Sequence, residues 1–386
     1  MIIISPRLSY FLDTARWLAA AAVVCEHLRA LLLGDWEPGS AGVAWKCVYF
    51  FSGFGQAAVL IFFVLSGFLI GGEVFRQISG EIFDWRDYAI RRFSRIYPVY
   101  LAALVLGGGL DWLGLHYFNA TGLYTGLHPF PSMNFSVMER LSGIHFAQNL
   151  AFLQEIKGPA FGSNQPLWSL AYEAWYYAIF PLALWPVLSR KASPARRTAA
   201  ACAALACAWF VGPTIMAYLV LWMIGLLPHF WPERWRFSGL QAGAALVTAL
   251  LVVRLRAGGE SWAYARDLSL GLAFAACIYR CGQSRAAAPA GARFHHTLAG
   301  FSYSLYLVHW PLLVLLVAFL TDWCGLAVLR THPDTGVVLR GIGLFFVAYL
   351  GAYAVAWATE HRTPQLRAWL RSRFHAKGAN SSTLRA

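Results

Sequence analysis

Ten apolar segments, each about the length needed to cross a bilayer, dominate this chain and constrain its fold more than any other feature. They run over 11–33, 47–72, 97–115, 166–189, 198–212, 214–231, 238–255, 262–281, 298–320 and 338–360. The dipeptide Gly212-Pro213 separates the fifth from the sixth, where it either turns the chain or kinks one long helix. Composition agrees: 59% of the residues are hydrophobic, 13% are charged, and the mean hydropathy is +0.52. A soluble domain would be roughly a quarter charged. The expected fold class is therefore an all-α polytopic integral membrane protein of about ten transmembrane helices. The stretch 141–156 is amphipathic and too polar to count as a span.

The net charge of +13 would suggest a nucleic-acid partner in a soluble protein. Here the loops account for it, and no nucleic acid is expected. With the N-terminus inside, 21 of the 31 lysines and arginines fall in cytoplasmic segments, among them Arg86, Arg91, Arg92, Arg95, Arg190 and Arg367. Nine fall outside, and Arg16 lies within the first span. That bias supports an N-in, C-in bundle and weakens if 198–231 is one crossing. The first segment lacks a small-residue cleavage site because Glu26, His27 and Arg29 interrupt the region, so it is expected to stay as helix one. The connection 116–165 is assigned outside. The basic tail 362–386 is expected to be a disordered cytoplasmic end following the 1–361 membrane domain. The seven cysteines form no CxxC pair and read as small buried hydrophobes; no metal site is expected.

Ionisable groups inside a span cost about 2.5–3.5 kcal/mol each on insertion scales, so each needs a reason. In "RWLAAAAVVCEH", Arg16 and His27 are eleven residues apart, nearly a whole number of turns. They share a face about 16 Å apart along the axis, while Glu26 points about 100° away from His27. Asp13 can share the Arg16 face. In "RDYAIRRFSRIYPVYL", Arg92 and Arg95 share a face suited to gripping phosphates at the cytoplasmic mouth, and Arg91 is assigned to lipid headgroups. In "QPLWSLAYEAWYYAIFPL", Glu173 is the only carboxylate of its span, beside Trp168, Tyr172 and Trp175, a combination suited to sugar rings. In "FSYSLYLVHWPLL", Ser302, Tyr306 and His309 can form one polar stripe, with Pro311 freeing backbone nearby. The pair His295-His296 reads as a cytoplasmic loop feature.

These stretches, with "LIFFVLSGFLIGG" (60–72), occur in the order found in the membrane acyltransferase-3 family, which the chain resembles from about 9 to 360. That family comprises integral O-acyltransferases that modify bacterial surface polysaccharides, lipopolysaccharide and nodulation factors. The resemblance implies that Arg16 and His27 form the helix-one signature, with His27 catalytic, and that Arg92 and Arg95 are the helix-three RxxR pair. It also implies that Glu173 is the acidic residue after "WSL". Trp17 departs from the usual glycine, and "TEHRTP" (359–364) departs from the usual closing Glu-x-Pro, which puts a role for Glu360 in doubt.

The expected activity is acyl transfer from cytoplasmic acyl-CoA, with acetyl-CoA the first choice, to a sugar hydroxyl of a surface polysaccharide or its lipid-linked precursor at the bacterial inner membrane. His27 acts as general base or as a transient acyl carrier. Glu173 positions or polarises His27 or the acceptor, and His309 assists. Arg16, Arg92 and Arg95 hold the coenzyme, while Trp168, Tyr172, Trp175 and Tyr306 bind the acceptor. Acyl-CoA, the glycan acceptor and membrane lipid are the expected partners, with no permanently bound cofactor. A transporter or flippase of glycan intermediates, a structural partner of a synthesis complex, a succinyl donor and a non-polysaccharide acceptor stand as alternatives. The absence of an internal repeat argues against the transporter.

Overall fold

A computed structural model describes residues 1–35, 42–126, 133–326 and 328–380, with side chains through Phe374. Among these residues the chain is helical, with no strand beyond two isolated bridges. Helix α1 (Pro6–Leu32) starts where Ser5 Oγ accepts the Leu8 N–H at 3.2 Å and Pro6 supplies a first-turn residue with no N–H to satisfy. The second apolar run is broken into α2 (Val43–Phe51), α3 (Gly55–Ser66) and α4 (Gly72–Ser79), the last two joined by a π-helical turn at Gly67–Gly71. Helix α5 (Trp85–Tyr117) begins under an Asp84 cap and carries the arginine cluster on its first turns.

Two short helices, α6 (Val137–Arg140) and α7 (Gly143–Leu150), lead to α8 (Leu167–Leu188). Helix α9 (Pro194–Ile224) is interrupted at Gly212, whose φ of 82° and ψ of 174° are non-helical, just before Pro213. Then follow α10 (Gly239–Arg254), α11 (Ala263–Gly282), α12 (Ala292–Ala299), α13 (Ser302–Asp322), α14 (Thr335–Ala358) and α15 (Thr363–Asn380).

Among the described residues, six stretches are long and apolar enough to cross a membrane: Pro6–Leu32, Val43–Ser79, Trp85–Tyr117, Pro194–His229, Ser302–Asp322 and Thr335–Phe374. They account for seven of the ten expected segments; the other three correspond to α8, α10 and α11, which are too short or too polar by that measure. The chain is thus a multi-pass helical membrane protein. Its centre and periphery differ sharply. Two-thirds of the apolar window of α13 (67%) is buried inside the protein, against 22% for the stretch containing α14. Leu339, Phe346, Leu350 and Trp357 of α14 are exposed, an apolar surface of the kind a bilayer covers. Helix α1 packs against α3, α11, α12, α13 and α14 and so lies at the centre with α13.

Two sequence expectations change here. The basic tail is helical from Thr363 to Asn380 and packs on α5, because its arginines find partners there; residues 381–386 lie outside the described residues. His295 and His296 belong to α12, not to a loop: His295 Nδ1 receives the Trp17 indole N–H at 3.0 Å, and His296 Nδ1 lies 3.0 Å from Asp13 Oδ2. Trp17, the departure after Arg16, is thereby matched by a histidine on the neighbouring helix.

The contact between the π-turn and α9 is made possible by glycine. A Cβ on Gly67 would overlap the Trp222 carbonyl oxygen, and one on Gly225 would overlap the Val64 carbonyl oxygen. This is the close backbone approach that small residues permit between membrane helices. Overpacking ordinarily costs about 1–3 kcal/mol; here the obstacle is backbone, which cannot rotate away. Gly67→Val is expected to eliminate folded, monodisperse protein on fluorescence-detected size exclusion. Gly109→Ala, where a Cβ meets nothing within 4 Å, leaves the profile unchanged.

Candidate active site

Among the described residues, two cavities inside the bundle bear on the site. One, of about 480 Å³, opens among Arg16, Arg92, Arg95, Glu73, Glu173 and Arg367, and continues along an apolar wall including Phe62, Leu69 and Ile96. The other, of about 410 Å³, is lined by Glu26, His27, Gln56, Glu155, Gln165, Trp168 and Trp310. Val59 and Tyr306 line both, so the cavities abut at these two side chains. The face shared by Arg16 and His27 on α1 thus spans the two chambers, with the arginine in one and the histidine in the other.

His27 is oriented by His309. Its Nδ1 lies 2.8 Å from His309 Nε2, and His309 Nδ1 lies 2.9 Å from the Leu305 carbonyl oxygen. A carbonyl only accepts, so His309 Nδ1 carries a proton, and neutral His309 must then present a lone pair at Nε2. His27 accordingly donates from Nδ1, which leaves its Nε2 lone pair as the basic atom of the cavity. This tautomer assignment follows from the hydrogen-bond network. Trp310 packs edge-on against His27 with ring centroids 4.7 Å apart. Pro311, lacking an N–H, frees the Leu307 carbonyl, which accepts from Asn164 Nδ2 at 2.8 Å and ties the 160–166 segment to α13. The same segment is anchored to α5 by buried Asp111, whose Oδ2 accepts the Ser163 N–H at 2.7 Å.

Tyr306 stands between the chambers with its hydroxyl 2.6 Å from Ser169 Oγ, and it donates to the Pro166 carbonyl at 3.1 Å. In the arginine chamber each signature guanidinium has an acid. Arg16 lies 3.1 Å from Asp13, Arg92 3.5 Å from Glu73 and Arg95 2.7 Å from Glu360. Arg92 also sits over the rings of Tyr88 and Tyr177, 5.6 Å from each centroid. Glu173 accepts from the Tyr177 hydroxyl.

The structure therefore brings together Arg16, Arg92, Arg95, Glu173 and Tyr306 in one chamber, and His27, Trp168 and Tyr306 in the other, with His309 behind His27. Four readings need correction. Glu173 does not face His27; it lies in the arginine chamber, and His309 is the hydrogen-bond partner of His27. Tyr172 and Trp175 line neither cavity. Tyr172 packs among Phe63, Trp168 and Tyr218, and Trp175 donates its indole N–H to the Phe152 carbonyl at 2.9 Å. Arg91 does not reach outward to headgroups. It is paired with Asp87, lies 3.6 Å from Glu73 and donates to Gln77 at 3.1 Å.

Glu26 is the fourth. Although it is one residue from His27 and angled away, it lines the same cavity and accepts the Gly55 N–H, capping α3. Its charge in a span was the signal; what it satisfies became visible only with the break before α3. Gln56, Glu155, Gln165 and Trp310 also escaped the sequence reading, since polar loop residues and one more tryptophan carry no pattern of their own. Glu155 protrudes at a non-glycine φ of 67°, and burial raises its carboxyl above the usual range, with Arg140 opposing that shift.

A helical membrane bundle with two abutting polar chambers, one cationic and one built around a histidine pair, defines the class of protein. The acyltransferase-3 family model, described as an acyltransferase domain, matches residues 9–360, and the chain belongs to that family. Among curated relatives, the acyltransferase MdmB of Streptomyces mycarofaciens is 30% identical over 205 residues, which is 51% of this chain and 44% of that protein. The putative peptidoglycan O-acetyltransferase YrhL of Bacillus subtilis is 29% identical over 179 residues, 45% of this chain and 23% of that protein. An uncharacterized protein of Haemophilus influenzae is 29% identical over 126 residues, 32% of this chain and 47% of that protein. The chain thus matches less than half the length of each of these relatives. No solved structure matches it.

Proposed function

We propose that this chain transfers an acyl group, acetyl in the first instance, from acyl-CoA in the arginine chamber to a hydroxyl of a glycan acceptor in the His27 chamber. The observation that carries the reading is the meeting of the two chambers at Val59 and Tyr306, where a thioester from one side and a hydroxyl from the other can converge. Arginine forks grip phosphates, and the apolar wall beyond them suits a pantetheine arm. The carboxylates, amides and indoles of the other chamber suit a hydroxylated ring. A relative named as a peptidoglycan O-acetyltransferase supports a polysaccharide acceptor.

In this mechanism the acceptor oxygen attacks the thioester carbonyl as His27 Nε2 takes the hydroxyl proton. The carbon–sulfur bond then breaks, the ester forms, and the coenzyme thiolate leaves to be reprotonated from the imidazolium. His309 holds the His27 Nδ1 proton throughout. In this reading both termini lie inside, as the lysine and arginine bias of the loops favours, and the arginine chamber opens toward the cytoplasm, where acyl-CoA is made.

Purified protein in detergent, given acetyl-CoA and a methyl glycoside, is expected to release coenzyme thiol in proportion to acetylated glycoside seen by mass spectrometry. Absence of both products, with glycoside instead moved across a reconstituted vesicle wall, would replace this reading with transport.

A further inference from the structure

We propose that Arg367, on the tail helix α15, is a phosphate-binding residue of the donor chamber, an inference that rests on the donor reading above. Arg367 lies beyond the residues matched by the family model, which ends at 360. It nevertheless lines the same cavity as Arg16, Arg92 and Arg95. What distinguishes it is its pairing. The three signature arginines each have a carboxylate within 4 Å, whereas Arg367 has none among the described residues. Its polar contact is with a neutral group, Nε to Ser94 Oγ at 3.3 Å.

Arg91, Arg92, Arg95 and Arg371 crowd Arg367 closely enough to repel its charge. Those four share three carboxylates, Asp87 serving both Arg91 and Arg371 alongside Glu73 and Glu360, so the cluster is cationic and Arg367 is its one arginine with no carboxylate within 4 Å among the described residues. A cation surrounded by like charges and facing a cavity is stabilised by an anion that enters there.

The helix is built to hold this residue in place. Arg371 reaches Asp87 at 2.7 Å, and Arg86 Nη1 donates to the Phe374 carbonyl at 2.9 Å, so both flanks of α5's first turn grip α15. Leu370 is buried against the bundle. The signature arginines must exchange or share an existing acid to bind phosphate, and Arg367 need not. It is the guanidinium on which a phosphate of the coenzyme gains most.

The test compares binding of coenzyme A and of pantetheine, which lacks every phosphate, to purified protein in phospholipid-free dodecyl maltoside. Arg367→Ala is expected to weaken coenzyme A by about 10- to 100-fold and to leave pantetheine unchanged. Arg367→Lys retains part of the affinity as a point charge without the fork. Equal losses for both ligands would make Arg367 a structural residue and overturn the proposal. An unchanged preference for coenzyme A over pantetheine in Arg367→Ala would overturn it while leaving the donor reading intact. Wild-type protein that binds neither ligand would overturn both. If the variant keeps coenzyme A but loses retention on phosphatidylglycerol vesicles, the phosphate is a lipid's and the proposal falls.

Discussion

Replacing His27 with alanine is expected to lower acyl transfer by about 10²- to 10⁴-fold, the usual worth of a positioned general base, while leaving the protein folded and inserted. The more informative comparison lies one residue further back. His309 keeps its own proton on the Leu305 carbonyl and turns a lone pair toward His27, which fixes the His27 proton on Nδ1. Removing that acceptor with His309→Ala frees His27 to place its proton on Nε2, the atom that must be bare to act. A loss of about 10- to 100-fold in kcat follows, with the donor KM little changed, because no donor contact is removed. Glutamine at 309 can still accept the Nδ1 proton through its amide oxygen, so His309→Gln is expected to recover much of the lost rate. Kinetics of the three variants on one acceptor check this. Equal rates for alanine and glutamine at 309 would deny His309 its orienting role, and an active His27→Ala would remove the base altogether.

How much of this was legible in the sequence divides along physical lines. The apolar runs and their Gly-Pro break were readable because bilayer thickness fixes run length and proline fixes φ. The shared face of Arg16 and His27 was readable because a helix has a constant turn. Partner identity was not. Glu173 and His309 lay on different spans, and nothing in spacing along one helix says which of them reaches a third. Glu26 illustrates the same limit: about 100° of rotation took it off the His27 face, yet the chamber is wide enough to include both. The tail was misread for a related reason. Its composition is that of a solvated segment, but Arg371 and Arg367 meet Asp87 and Ser94 on α5, contacts nearly 300 positions apart in sequence. Tyr172 and Trp175 show the reverse error. Aromatic residues beside a carboxylate suggest sugar binding, yet in a helix most of them must serve its other faces.

Glu360, which the departure from the closing motif had put in doubt, carries the second large effect. Its side chain is 3% exposed and lies at the N-terminal end of α13, where Oε2 accepts from the Ser304 hydroxyl at 2.8 Å and from the Ser304 N–H at 3.3 Å. A carboxylate there caps an orphan amide and meets the positive end of the helix dipole. Its other oxygen is 2.7 Å from Arg95, whose side chain is 40% exposed. The asymmetry decides the order of the variants. Arg95→Ala strands a buried carboxylate, at a cost of about 3–5 kcal/mol. Glu360→Ala leaves an arginine that water can reach, and the lost cap costs about 1–3 kcal/mol. Glu360→Gln keeps an acceptor for Ser304 and costs least. Thermal unfolding in detergent should rank the three in that order. The double variant should be less destabilised than the sum of its singles, because the buried charge goes with its partner. Since α13 also carries Tyr306 and His309, Glu360→Ala is expected to reduce kcat as well, by disturbing the helix that holds the wall between the chambers. If Arg95→Ala proves no more destabilising than Glu360→Gln, Glu360 is not buried as an ion pair, and the anchoring of α13 must come from elsewhere.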